Sequence, residues 1–210
     1  MFRVGAGRLR RFKPIADFDW TWPTQIDNSA IKTLMNLSFL DDAGATNIVL
    51  LGPNGVGKTT IAKNIAHQAV LHGHSAMVTT AAEMLNDLAA IDGDSALKRR
   101  LKYYAHPDVL VIDELGYLSY GNRYADLLFE IVNRRYEQRC TIVTTNRPFS
   151  EWGEVFPNAA CVVSLIDRLI HHAEIITIEG ESFRMKEAKA RATKKTRSSR
   201  KTSPKQEATS

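Results

Sequence analysis

Asn47-Ile48-Val49-Leu50-Leu51-Gly52-Pro53-Asn54-Gly55-Val56-Gly57-Lys58-Thr59-Thr60-Ile61 is the stretch on which the fold turns. It opens with an aliphatic run of strand length and leads into a segment where Ile61, Ile65 and Ala69 recur at helical spacing. Between the two lies a full G-x-x-x-x-G-K-[ST] match, in the strand-to-helix context that motif requires. The glycines let backbone N–H groups converge on phosphate oxygens without Cβ obstruction, and the N-terminus of the next helix adds partial positive charge. Gly52, Pro53, Asn54, Gly55, Val56, Gly57, Lys58, Thr59 and Thr60 are therefore expected to cradle the phosphates of a nucleotide. Lys58 is placed to reach the β- and γ-phosphates, and Thr59 to offer its hydroxyl to Mg2+. Gly73 supplies a C-terminal stop for the helix.

Working outward, Asp108-Val109-Leu110-Val111-Ile112-Asp113-Glu114 is a second dense apolar run, and it ends in two adjacent acids. Neighbours in a strand point to opposite faces, so Asp113 and Glu114 should do different jobs. Asp113 is the candidate acidic partner of Thr59 at Mg2+, and Glu114 the candidate that orients and polarises an attacking water. An apolar strand ending in two acids is a weak signal alone, but it gains weight from the phosphate loop upstream. A small-molecule kinase using the same loop would activate a substrate hydroxyl and gain nothing from a Glu committed to water. The third run, Cys140-Thr141-Ile142-Val143-Thr144-Thr145, delivers Asn146 and Arg147 at its end, where ligands of parallel sheets bind. Asn146 has the amide needed to hold a lytic water or touch the γ-phosphate; a turn-forming role before Arg147-Pro148 is the alternative.

Short β-branched runs at 47–51, 75–79, 108–113, 140–145 and 174–178 alternate with helical periods near 58–72, 81–91, 95–104, 122–138 and 161–172. Alternation of that kind predicts an α/β domain with a parallel sheet and crossover helices. The chain has 210 residues, 44% of them hydrophobic and 24% charged, which suits one globular domain with a short appendage. No run approaches the roughly 18 to 20 apolar residues of a membrane helix, and no apolar segment follows the basic N-terminus as a secretory signal would need. Cys140 and Cys161 lack metal-type spacing and read as reduced thiols, so a cytoplasmic protein without membrane contact is expected.

The net charge of +5 is unevenly placed. Residues 184–210 carry ten basic and two acidic residues, and residues 3–13 carry five basic and none acidic, leaving 14–183 at −8. With Met185 as its one large apolar residue, 184–210 is expected to form a disordered basic tail. These ends are the better candidates for nonspecific attraction to DNA, weakening steeply with salt. Lys98-Arg99-Arg100-Leu101-Lys102 and Arg134-Arg135 with Arg139 interrupt the acidic body. Lys98 and Lys102 share one helix face and either track phosphates or form an ordinary solvated surface.

The ordered set of motifs resembles the AAA+ ATPases. More narrowly it resembles the IstB and DnaC group of small helper ATPases, with IstB-like transposition helpers the closer likeness. That likeness is carried by Ile112-Asp113-Glu114-Leu115-Gly116-Tyr117, Arg135-Tyr136-Glu137, Thr145-Asn146-Arg147-Pro148-Phe149, Glu151-Trp152-Gly153-Glu154-Val155-Phe156 and Ile166-Asp167-Arg168-Leu169-Ile170-His171. Gly180-Glu181-Ser182-Phe183-Arg184 is similar to the group's Gly-x-Ser-Tyr-Arg pattern, with Phe for Tyr. The resemblance spans about Phe18 to Arg184 and implies a three-layer αβα P-loop NTPase fold with sheet order 5-1-4-3-2. It divides the chain into a basic arm and lead-in over 1–40, an AAA+ core over 41–183 and the tail over 184–210. It further implies ATP-dependent oligomers on duplex DNA that assist a transposase in target selection and transposition, or, alternatively, a DnaC-like loader with a helicase as partner. Arg168 is implied as an arginine finger reaching a neighbour's γ-phosphate, while Lys58, Thr59, Asp113, Glu114 and Asn146 act in cis; Arg147 is a second candidate.

Two departures stand out. Only about 45 residues precede the first strand, fewer than the group usually has, and the group's Gly-Lys-Thr-His is Gly57-Lys58-Thr59-Thr60. No full C-terminal helical lid is expected after the last strand, so no lid-borne arginine is assigned, and Arg184 is only a candidate substitute for one. Phe18, Trp20 and Trp22 with Pro23 either line the adenine edge or cover the core. Trp152 and Phe156 at i, i+4 read as a packing pair. His171 and His172, as helix neighbours, are expected to diverge by about 100° and to share no metal.

Overall fold

Five runs rich in β-branched residues pair into one parallel sheet: β1 (Asn47–Leu51), β2 (Ala76–Thr80), β3 (Val109–Leu115), β4 (Cys140–Thr145) and β5 (Ala173–Thr177). Their order is β2-β3-β4-β1-β5, the expected 5-1-4-3-2 arrangement. The computed structural model describes residues 12–40, 46–117, 121–156 and 160–188. Alternation along the central strands divides the core. Val109 and Val111 face a cluster with Ile61, Ile65 and Ala69, whereas Leu110 and Ile112 face a second with Met84, Leu128 and Leu165. Seven helices among the described residues supply these faces: α1 (Asn28–Met35), α2 (Lys58–Leu71), α3 (Ala81–Ala89), α4 (Asp94–Ala105), α5 (Asn122–Arg135), α6 (Trp152–Val155) and α7 (Val162–Ile170). With helices on both faces of a parallel sheet, the layers are α, β, α. Among the described residues no helix is long and apolar enough to cross a membrane.

Several details differ from the sequence expectation. α1 was not anticipated; it buries Ile31 and Leu34, and the Asp27 carboxylate accepts from the Ala30 N–H at 2.8 Å as its N-cap. α5 stops at Arg135 rather than 138, because Arg135 is drawn under the sheet. It donates to the carbonyls of Ala105 (2.9 Å), Pro107 (2.7 Å) and Cys140 and to the Thr141 hydroxyl (3.0 Å). Arg135 is 1% exposed, so it is a structural clamp on buried carbonyls rather than part of a basic surface. Arg134 pairs with Glu130 and Arg139 with Asp108. The expected structureless tail begins later than residue 184, since 183–188 are helical and packed against the N-terminal segment. Residues 1–11 of the basic arm and 189–210 of the tail lie outside the described residues. Trp152 and Phe156 are buried with rings 6.1 Å apart, the expected packing pair.

Candidate functional site

The C-terminal edge of the sheet gathers the loop after β1, the end of β3 and the end of β4, with β4 between the other two. Gly57 begins α2 at φ 105°, and a Cβ there would lie 2.4 Å from the Phe18 ring. Gly55 has φ 81°, and its Cβ would lie 2.2 Å from Ser182 Oγ. The cradle is thus closed on its outer side by the lead-in segment and by Ser182-Phe183-Arg184, whose Phe183 N–H donates to the Gly55 carbonyl at 3.0 Å. A cavity of about 350 Å3 lies against it, lined by Asn54 to Thr60, Glu114 and Tyr117, by Phe183, Arg184 and Glu187, and by Lys13, Asp17, Phe18, Asp19, Trp22 and Pro23.

Lys58 Nζ donates to the carbonyls of Gly52 (2.6 Å) and Pro53 (2.8 Å). Burial pulls its pKa down to about 8, with the Asp113 carboxylate opposing and Arg184 adding to the shift. Thr59 Oγ1 donates to Asp113 Oδ1 at 2.9 Å. Thr144 Oγ1 donates to the same oxygen at 2.5 Å and accepts from the Glu114 N–H at 2.9 Å. One strand hydroxyl therefore holds both the Asp113 carboxylate and the Glu114 backbone. Asp113 is 5% exposed, while Glu114 opens into the cavity, the division of faces expected from strand alternation. The β3–β4 register shifts between Ile112 and Leu115, and Glu114 takes φ 61°, a left-handed backbone costing a non-glycine residue roughly 1–2 kcal/mol. Bulges and strain of this kind re-aim side chains beside active sites.

The oxygen pair of Thr59 and Asp113, next to a cradle that a Cβ would fill, fits Mg2+ with a nucleotide phosphate. Asn146 stands just past β4, and its Oδ1 is buried with no hydrogen-bond partner among the described residues. It does not line the cavity, nor does Arg168. Arg168 lies on the surface where α5 meets α7. It donates to Asn133 Oδ1 (3.0 Å) and the Ser164 carbonyl (3.1 Å), with its guanidinium over Phe129 and Tyr136. Arg147 is engaged locally by Glu151 (3.0 Å) and Glu154 (3.2 Å).

Of the two roles left open for this aromatic group, Phe18, Trp22 and Pro23 line the cavity, whereas Trp20 packs on Phe18 with rings 4.7 Å apart. Sequence reasoning missed Thr144, Tyr117, Lys13 and Glu187. For Thr144 the available signal was a hydroxyl one pleat from the strand end; Lys13 and Glu187, paired at 3.2 Å across 174 residues, gave none. On the basic helix, Arg100 donates to Asp87, which also accepts from the Tyr104 hydroxyl, leaving Lys98, Arg99 and Lys102 exposed. The expected divergence of His171 and His172 fails because α7 ends at Ile170; their rings sit 4.0 Å apart on the following turn.

Comparison with known proteins agrees with this site. The insertion sequence IS5376 protein of Geobacillus stearothermophilus, named for ATP binding, is 37% identical over 184 residues, covering 88% of this chain and 72% of the relative. The corresponding IS21 protein of Pseudomonas aeruginosa is 36% identical over 185 residues, covering 88% and 69%. The crystal structure of DnaI superposes with a TM-score of 0.63 over 85% of this chain and 93% of that one at 21% identity, a likeness of fold. Residues 3–192 match the family described as IstB-like ATP binding protein, and with the phosphate cradle in place the chain belongs to that family.

Proposed function

We propose that this chain hydrolyses ATP with Mg2+, assembles into ATP-dependent oligomers on duplex DNA, and assists a transposase in target selection and DNA transposition. The observation that carries the hydrolytic part is that Asp113 lies against Thr59 while the adjacent Glu114, its backbone held by Thr144, lines the cavity. Lys58, Thr59 and the loop N–H groups hold the triphosphate, and Thr59 with Asp113 holds the metal. Bound Mg2+ supplies charge neutralisation at the β- and γ-phosphate oxygens. Glu114 orients the attacking water and accepts its proton, and Asn146 steadies that water through its amide oxygen or the γ-phosphate through its amide N–H groups. Arg168, absent from its own cavity wall, acts on a neighbour's phosphate. The charge developing on the transferred group favours a cation delivered on assembly.

The transposition part rests on relatives named for insertion sequences. A helicase loader would share the nucleotide chemistry, and a likeness to the DnaC helicase loader, with a TM-score of 0.56 at 19% identity, supports it through fold alone. The test is phosphate release together with particle size on duplex DNA, with ATP and with a nonhydrolysable analogue, followed by capture of purified transposase or replicative helicase. Stimulated release, larger particles and retention of transposase are expected. A strict monomer with no release overturns the ATPase reading, and retention of helicase alone replaces the client.

A further inference from the structure

We propose that Glu137, His171 and His172 form a binding site for a divalent transition metal of the zinc class, separate from the nucleotide site. The two helices that carry them both stop early. α5 ends at Arg135, whose buried guanidinium pins the following turn, and α7 ends at Ile170. Glu137 and the two histidines therefore stand on adjoining turns, with one ligand atom of each lying within 4.8 Å of the others. The Glu137 carboxylate lies 3.8 Å from His171 Nδ1 and 3.7 Å from His172 Nε2. Around an ion with bonds of about 2.0–2.1 Å, tetrahedral ligand atoms sit about 3.4 Å apart, so small side-chain movements close the sphere.

Glu137 takes φ 56°, which aims its carboxylate from a backbone conformation that side chains beyond glycine rarely adopt. Tyr136 Oη lies 2.6 Å from His171 Nδ1, and its ring stacks on that imidazole. The phenol holds the ring in place through Nδ1, a contact that an ion bound at that nitrogen displaces, and sets another oxygen beside the cluster. About half of each of the three ligand side chains is exposed, so an ion reaches them from solvent and water completes its coordination. Two imidazoles and a carboxylate suit zinc, nickel, cobalt or copper, whereas the all-oxygen pair at Thr59 and Asp113 suits magnesium. An ion here ties the ends of α5 and α7 together and fixes Tyr136, over which the Arg168 guanidinium lies.

Calorimetric titration of tag-free protein with Zn2+ alone tests the site, with no nucleotide present. One equivalent is expected to bind the parent chain. His172→Ala and Glu137→Gln should each weaken that binding by about tenfold or more. Co2+ should give the visible absorption of nitrogen and oxygen coordination in the parent and lose it in His172→Ala. All three ligand side chains are half-exposed, so thermal melts in chelator should match the parent and show that the variants fold. No binding by the parent, or equal affinity in both variants, overturns the proposal.

Discussion

At the scale of single residues, the site depends on environments that separate like groups. Asp113 and Glu114 are adjacent carboxylates, yet one is buried against two threonine hydroxyls and the other opens into the cavity. Glu114→Gln is expected to lower ATP turnover by on the order of 10²–10⁴-fold while nucleotide binding and ATP-stabilised assembly persist, as phosphate release and filter binding would show. Retained turnover would remove Glu114 from its role. Lys58 makes a second prediction. Its folded-state pKa of about 8 lies below the ordinary 10.5, so its charged form works against folding below pH 8, and that penalty fades as pH rises between the two values. A triphosphate beside it restores the charge, so nucleotide binding near pH 8 should take up protons. Calorimetry in buffers of different ionisation enthalpy measures that uptake, which should vanish in Lys58→Arg. The two acids and the lysine were legible because their spacing is local; the hydroxyl of Thr144 and the φ of Glu114 were not, since they depend on β3 meeting β4.

At the scale of elements, the phosphate loop is braced by segments from both ends of the chain. Gln25 and Glu179 form an antiparallel bridge, the Trp22 indole donates to the Glu181 carbonyl at 2.8 Å, and Lys186 lies over the Trp22 ring and pairs with Asp19. The motif Gly180-Glu181-Ser182-Phe183-Arg184 therefore braces the loop through Ser182 and Phe183 and brings Arg184 to the cavity wall. Gly55→Ala forces a Cβ against Ser182 and strains a left-handed backbone at a cost of roughly 1–3 kcal/mol. Scanning calorimetry should show the melting temperature falling by about 2–10 °C, with weaker nucleotide binding. Partial recovery in the double variant with Ser182→Gly would assign the loss to that contact. The extents of α2 and of strands β1 and β4 could be read from periodicity. The early ends of α5 and α7 could not, because Arg135 stops its helix through carbonyls distant in sequence.

At the scale of the whole molecule, the proposed function draws on groups split between the cavity and the α5–α7 surface. Arg168→Ala is expected to lose activity, and mixing it with Lys58→Ala should restore part of it, since each variant supplies what its neighbour lacks; no recovery on mixing would argue against action in trans. The charge distribution makes a separate prediction. Deleting residues 189–210 removes eight basic residues and one acidic one and leaves the packed 183–188 helix intact. DNA affinity and its salt slope should fall while basal ATP hydrolysis stays nearly unchanged. Unaltered DNA binding would hand the role to Lys98, Arg99 and Lys102 on α4. By itself the sequence determined the sheet, its crossover helices, the phosphate cradle and the two acids, because strand and helix periods and a glycine-rich turn are properties of neighbouring residues. Only the tertiary structure decided that Arg135 is buried, that residues of 13–23 and 183–187 wall the cavity together, and that Glu137 meets two histidines. Those outcomes depend on which carbonyls, rings and helix ends the fold brings together across long separations in the chain.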